Sequence, residues 1–214
     1  MKQITVFGAS GKVGRLVVEE LLSKNYSVVA FIHSNNQIPN HKNIKVVKGS
    51  IYDSISVEKA IKGSDGIISA LGSWGTPKKD ILKVGFKNII PAAEKAGIKK
   101  VVSLTGHGAT APNDKFDLLH EISRFMLVIL ANRILKDGEE HIIQLNNSKL
   151  NWTVLRSSLM VNFGSTTKYK LTMKRPLPLA IINRTVVAKA LVNLLDDKHY
   201  NRKAPFILHK DLNR

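Results

Sequence analysis

The chain has 214 residues, no cysteine, and 33 Lys and Arg against 16 Asp and Glu, giving a formal net charge of +17. That length suits one domain with a full core, and the missing cysteines exclude disulfides, thiolate metal sites and a cysteine nucleophile, as expected of a cytoplasmic protein. The charge invites a nucleic-acid reading, but the lysines are scattered, and no helix-turn-helix, zinc-finger or aromatic RNA-binding signature accompanies them. The expectation is a solvated basic surface that helps steer a polyanionic cofactor.

Gln3-Ile4-Thr5-Val6-Phe7 reads as a short buried strand that stops at Gly8-Ala9-Ser10-Gly11-Lys12-Val13-Gly14. With a strand in this place, a signal peptide is not expected there. A strand ending in a glycine turn that opens into a helix offers backbone N–H groups and the positive helix end to a pyrophosphate. Gly8 permits the tight turn, Gly11 lets phosphates approach, and Gly14 lets the helix pack closely. Gly8, Ser10, Gly11, Lys12, Val13 and Gly14 are therefore cofactor-binding candidates, although the spacing is G-x-x-G-x-x-G rather than G-x-G-x-x-G. The helix that follows carries Val13, Leu16, Val17 and Leu21 on one face.

Further strands are expected at Tyr26 to Ile32, Ile44 to Val47, Gly66 to Leu71, Val101 to Leu104 and Trp152 to Leu155. Between them lie a helix through Val57, Ala60 and Ile61, capped near Ser54 or Ser56, and a longer one from about Pro77 to Ala96 ending at Gly97. Residues 113–147 read as helical with a break near Asp137-Gly138. Their stretch Phe125 to Ala131 is the most apolar of the chain and too short to span a membrane. The helix over 119–136 is a candidate roof for an acceptor pocket, a subunit contact, or plain core. A final helix is expected over Thr185 to Leu195 and a closing strand over Pro205 to His209. This alternation predicts an α/β fold with a doubly wound parallel sheet and helices on both faces. One domain, 1–214, is expected, with 156–183 and 197–214 forming the acceptor pocket and C-terminal edge.

The whole chain, from Ile4 to about His209, resembles the atypical short-chain dehydrogenases of the NmrA-like, NAD(P)H-binding kind, and is similar in particular to the biliverdin-IXβ reductase or flavin reductase type. The carriers are the glycine turn, Val47-Lys48-Gly49-Ser50 before Asp53, Ala70-Leu71-Gly72, Asn88-Ile89-Ile90, Lys99-Lys100-Val101-Val102 leading to Thr105, Leu150-Asn151-Trp152-Thr153-Val154-Leu155-Arg156, and Asn183-Arg184-Thr185-Val186-Val187-Ala188. The resemblance implies a Rossmann-like core that binds NAD(P)H across the carboxyl ends of its strands. It also implies that Ser50 replaces an aspartate usually bonded to the adenine amine, leaving that role to backbone groups and Ile51.

An acid at the end of the second strand would favour NAD and repel a 2′-phosphate. Here Ile32 is followed by His33-Ser34-Asn35-Asn36, so His33, Ser34 and Lys12 point to NADP(H) over NAD(H). The nicotinamide is expected over Ala70, Leu71 and Gly72 and beside Thr105, Gly106 and His107, with Trp74 either stacking on an aromatic acceptor or anchoring local packing.

The superfamily's usual proton-transfer pair, Tyr-x-x-x-Lys, is missing: Tyr26, Tyr52, Tyr169 and Tyr200 are followed four residues on by Ala30, Ser56, Met173 and Ala204. That argues against alcohol oxidation or epimerisation. A flavin, quinone or tetrapyrrole-like acceptor delocalises the arriving charge and takes its proton from water. Thr105 is expected to supply the hydroxyl that relatives place one position later, and Ser158 stands where they carry a histidine. His107 either donates to the acceptor or bonds only its own backbone. The seven histidines lack metal-ligand spacing, and His141 reads as a helix-surface or pocket-rim residue. The expected function is an NADPH-dependent reductase, monomeric or homodimeric. The alternative is a non-catalytic NADP(H)-sensing regulator that binds a protein partner.

Overall fold

The structure is a computed structural model describing residues 1–209 except 34–37, 75, 113, 116, 117 and 177–179; of 119–127 and 129–130 it describes the backbone alone. An eight-stranded sheet runs β3-β2-β1-β4-β5-β6-β10-β8. Its members are β1 Gln3–Phe7, β2 Ser27–Ile32, β3 Ile44–Lys48, β4 Gly66–Ser69, β5 Lys100–Gly106, β6 Trp152–Ser157, β8 Tyr169–Thr172 and β10 Phe206–His209. All neighbours are parallel except the β8–β10 edge pair. The strand order reverses direction between β1 and β4, which opens a crevice at the carboxyl ends of those strands.

Period-two alternation divides the core. Ile4, Val6, Val28, Ile68 and Val102 pack under α1 Lys12–Ser23 and α5 Arg184–Asn193. Phe7, Val29, Phe31, Ile67 and Val101 face the other way, under α2 Ser54–Ile61, α3 Ile81–Lys95 and α4 Leu118–Asn146. Burial on both faces explains why the central strands read as apolar runs.

Three details depart from the sequence reading. The helix expected from Pro77 begins at Ile81, because the first turn is capped from another element: the Asp137 carboxylate accepts from the Leu82 and Lys83 amides at 3.1 and 2.7 Å. The break expected near Asp137-Gly138 lies instead at Ala131, where φ is −147° and ψ 33°. Gly138 stays helical, and a Cβ there would lie 2.5 Å from the Thr105 hydroxyl oxygen, so α4 and β5 approach closely at this glycine. The stretch between Leu155 and Thr185, for which no strand or helix is expected, contains the edge strand β8 and a two-stranded sheet of β7 Leu159–Val161 and β9 Ile181–Asn183. The α2 cap comes from Asp53, whose carboxylate accepts from the Ile55 and Ser56 amides.

Candidate cofactor and acceptor site

β1 leads directly into the turn. Gly8 has φ +74°, and a Cβ there would sit 2.9 Å from the Ala70 carbonyl oxygen and 3.1 Å from the Leu71 nitrogen. The amide of Ala70 in turn donates to Phe7 O at 2.9 Å. The glycine turn and the end of β4 are thus locked backbone to backbone, an approach that only a residue without a side chain allows. A Cβ on Gly14 would overlap Gly8 O, so the first turn of α1 rests on the loop itself. Gly11 differs. It is the N-cap of α1 with extended backbone, no side chain caps the helix, and a Cβ there would meet only Gly8 O, at 3.2 Å. The first-turn N–H groups and the positive end of the helix therefore face an exposed glycine, a cradle that fits a pyrophosphate.

Ser10 and Lys12 stand beside this cradle, Lys12 exposed, while Val13 turns into the core. At the end of β2, His33 is exposed; Ser34 lies outside the described residues. Ser50 Oγ accepts from the Tyr52 amide at 3.2 Å. Ile51 is buried against α3, and its carbonyl accepts from Asn88 Nδ2 at 2.8 Å, which fixes this loop from behind.

Across the sheet, Ala70, Leu71 and exposed Gly72 continue from β4, and Thr105, Gly106 and His107 from β5. A Cβ on either Gly72 or Gly106 would meet nothing within 4 Å, so both positions border open space. Trp74 is 69% exposed. The His107 amide donates to Ser157 O at 2.8 Å, joining β5 to β6 above their register. Burial, aided by the Arg175 charge, holds the His107 imidazole below its ordinary pKa, so the ring is neutral at pH 7. Ser158 is buried, and its hydroxyl has no hydrogen-bond partner among the described residues. From β2 to β6 the row crosses four inter-strand steps, about 19 Å at ~4.8 Å each, a span that an extended dinucleotide can follow.

Several residues escaped the sequence reading. Asp137, buried within α4, accepts from the Ser73 hydroxyl as well as from α3, so one carboxylate ties the stretch after β4 to two helices. Buried Arg156 on β6 pairs with Asp114, donates to the carbonyls of Ala204 and Ala109, and stacks on Phe206 at 3.7 Å. Arg175 reaches the same carboxylate at 2.7 Å. In the sequence, Asp137 looked only like a helix break, and Asp114 lies 42 residues from its partner Arg156.

His141 is not at a rim. It is fully buried, 2.8 Å from Ser103 Oγ and packed on Phe86, and burial pushes its pKa down to about 4. The unfolded chain, with an ordinary histidine near 6.5, binds the proton more readily, so stability falls as pH drops from about 6.5 towards 4. Chemical denaturation should show this group lowering stability by about 2 kcal/mol at pH 5 relative to pH 7. His141→Gln, which keeps a partner for Ser103, should remove that part of the slope; an unchanged slope would exclude a buried neutral imidazole.

No group of three or more metal-ligating side chains occurs among the described residues, and no helix there is long and apolar enough to cross a membrane. The helix over 119–136 is described in side-chain detail mainly from Ala131 onward, where Leu135 is buried and Arg133 and Lys136 are exposed.

Residues 8–198 match a family described as NAD(P)H-binding, and the chain belongs to that family. It is 31% identical over 174 residues to the UPF0659 protein YMR090W of Saccharomyces cerevisiae, covering 76% of this chain and 72% of the relative. Among solved structures it shares its fold with ChuY, an anaerobillin reductase from Escherichia coli O157:H7 (TM-score 0.78, 21% identity, all of both chains covered). It shares it also with a short-chain dehydrogenase/reductase from Veillonella parvula in complex with NADP (TM-score 0.78, 18% identity, 98% of this chain and 95% of the other). The fold is the Rossmann-like one of NAD(P)-binding oxidoreductases.

Proposed function

We propose that the protein is an NADPH-dependent reductase that passes hydride to a flavin, quinone or similar conjugated acceptor. The observation that carries this reading is the cradle at Gly8, Gly11 and Gly14, whose shape would be lost if a Cβ were added at Gly8 or Gly14 and whose mouth is left clear by Gly11, opening beside the ends of β4 and β5. When bound there, NADPH supplies the hydride. The chain's own residues hold and orient: the α1 N-terminus takes the pyrophosphate, and His33, Ser34 and Lys12 take the ribose phosphate. Ser50 and Ile51 lie on the adenine side, and Ala70, Leu71, Gly72 and Thr105 border the nicotinamide.

A conjugated acceptor is supported by what faces Thr105. The neighbouring position on α4 is Gly138, which carries no proton donor, and the sequence contains no Tyr-x-x-x-Lys pair. An alcohol-forming reaction needs a proton delivered in step with hydride; a delocalised ring does not. His107, neutral at pH 7, can donate a hydrogen bond to an acceptor oxygen while solvent supplies the proton. Ser158, whose hydroxyl has no partner among the described residues, offers a second polar contact.

Purified protein should oxidise NADPH saturably once FMN or a small quinone is added. Tight binding of NADPH without turnover would instead support a sensor that reads the cofactor and binds a protein partner. Since no acid stands at the end of β2, His33→Asp should shift the NADPH-to-NADH affinity ratio towards NADH by about tenfold or more, because a carboxylate there bonds the ribose hydroxyl and repels the phosphate. An unchanged ratio would remove the argument for the 2′-phosphate.

A further inference from the structure

A cavity of about 560 Å³ opens between α3, α4 and the segment that leads into α3, lined by Tyr52, Lys78, Lys79, Lys83, Arg133 and Lys136. Three acids also line it, and each is engaged. Asp80 accepts the Tyr52 hydroxyl at 2.7 Å, Glu140 lies 3.3 Å from Lys83, and Asp137 is held by Ser73 and the α3 amides. Five cations thus face three acids, and since hydrogen bonds from neutral donors leave the charges of Asp80 and Asp137 in place, the lining carries a surplus of two positive charges. Lys78 sits over the Tyr52 ring at 3.8 Å, Lys79 donates only to the carbonyls of Ser73 and Thr76, and Arg133 and Lys136 pair with no acid among the described residues. A concave surface with this surplus focuses positive potential into the cavity.

Its position matters as much as its charge. The wall residue Asp137 is followed by Gly138, which abuts Thr105, and the same Asp137 bonds Ser73, the residue after Gly72. The cavity therefore adjoins the two strand ends that border the open space over Gly72 and Gly106.

We infer that this cavity receives an anionic arm of the acceptor, so that the acceptor is a conjugated ring bearing a phosphate or carboxylate rather than a neutral quinone. The inference rests on the reductase reading. Hydride from NADPH passes to the ring, leaving NADP+; a proton from solvent completes the dihydro ring, and the anionic arm is unchanged. Arg and Lys form short, charge-assisted hydrogen bonds to such oxygens, and Arg133 can do so bidentately.

FMN and riboflavin share one ring and differ in the phosphate, so their affinities for the NADP+-saturated protein, read by flavin fluorescence, isolate the arm. FMN should bind at least about tenfold more tightly than riboflavin, the effect of one or two charge-assisted contacts. The ratio should fall to near one in Arg133→Gln/Lys136→Gln, whose exposed positions tolerate substitution. A control with the same change in net charge, Lys42→Gln/Lys45→Gln near the β3 edge, should keep the ratio. A ratio near one in the unmodified protein, its survival in the first variant, or an equal fall in the control would overturn the inference while leaving the reductase reading intact. If neither flavin binds and neither is reduced, both fall together.

Discussion

Gly11→Leu is expected to fold with only a modest loss of thermal stability and to lose NADPH affinity by about a hundredfold or more, the worth of two charge-assisted backbone contacts to phosphate. The two halves of that result come from different features. Gly11 has φ −72°, a conformation open to any residue, and the only atom near its missing Cβ is Gly8 O at 3.2 Å, so a side chain asks that carbonyl to give by a few tenths of an ångström, far less than at Gly8 or Gly14. That side chain would project into the cradle before the uncapped end of α1. Gly8 and Gly14 do not offer so clean a separation, since a Cβ on either meets backbone and would deform the turn together with any site it forms. Calorimetry for stability and NADPH fluorescence for affinity check the two halves; unaltered affinity in a folded variant would mean that the turn does not hold the cofactor.

Asp114→Ala should be strongly destabilising, costing about 3–5 kcal/mol and, at about 2–4 °C per kcal/mol for a chain of this size, lowering Tm by roughly 10 °C. Arg156 is fully buried and Arg175 nearly so, and both direct N–H groups at this one carboxylate. Removing it leaves two cations in a poorly solvated place. Burial alone would push the Asp114 carboxyl up, but hydrogen bonding and charge from Arg156, the Ala111 amide and Arg175 outweigh it and hold the group below the usual carboxylate range. The pair's contribution is thus fully present above about pH 4, where the unfolded carboxyl is also ionised, and is lost as pH falls further through the lower folded value. Loss of the acid-side dependence in Asp114→Ala would accompany the drop in Tm. A Tm within 2 °C of the parent, about the effect of 1 kcal/mol or less, would show that the two arginines do not depend on this acid.

The sheet and its glycine turn were legible because each rests on local chemistry. Apolar runs such as Ser27–Ile32 and Trp152–Ser157 are buried on both faces, and Gly8 and Gly14 occupy positions where a Cβ has no room. The start of α3 was not legible, because its cap, Asp137, lies more than fifty residues downstream and reaches it only through the tertiary fold. Gly138 misled for a related reason: glycine usually weakens a helix interior, yet here Thr105 comes so close that a Cβ would force something to shift. His141 could not be placed from composition, since nothing in the sequence shows that Ser103 on β5 offers its partner. Likewise, β7, β8 and β9 are three or four residues long and lack periodicity enough to be read.

Stereospecific deuterium transfer tests the central claim most directly, because free flavins are also reduced by NADPH in solution, where neither face of the nicotinamide is favoured. With NADPH labelled at one or the other hydrogen of C4 and FMN as acceptor, a nicotinamide held at the ends of β4 and β5 should give NADP+ that has lost one label completely and retained the other. Equal retention of the two labels, at a rate no greater than without protein, would contradict the account.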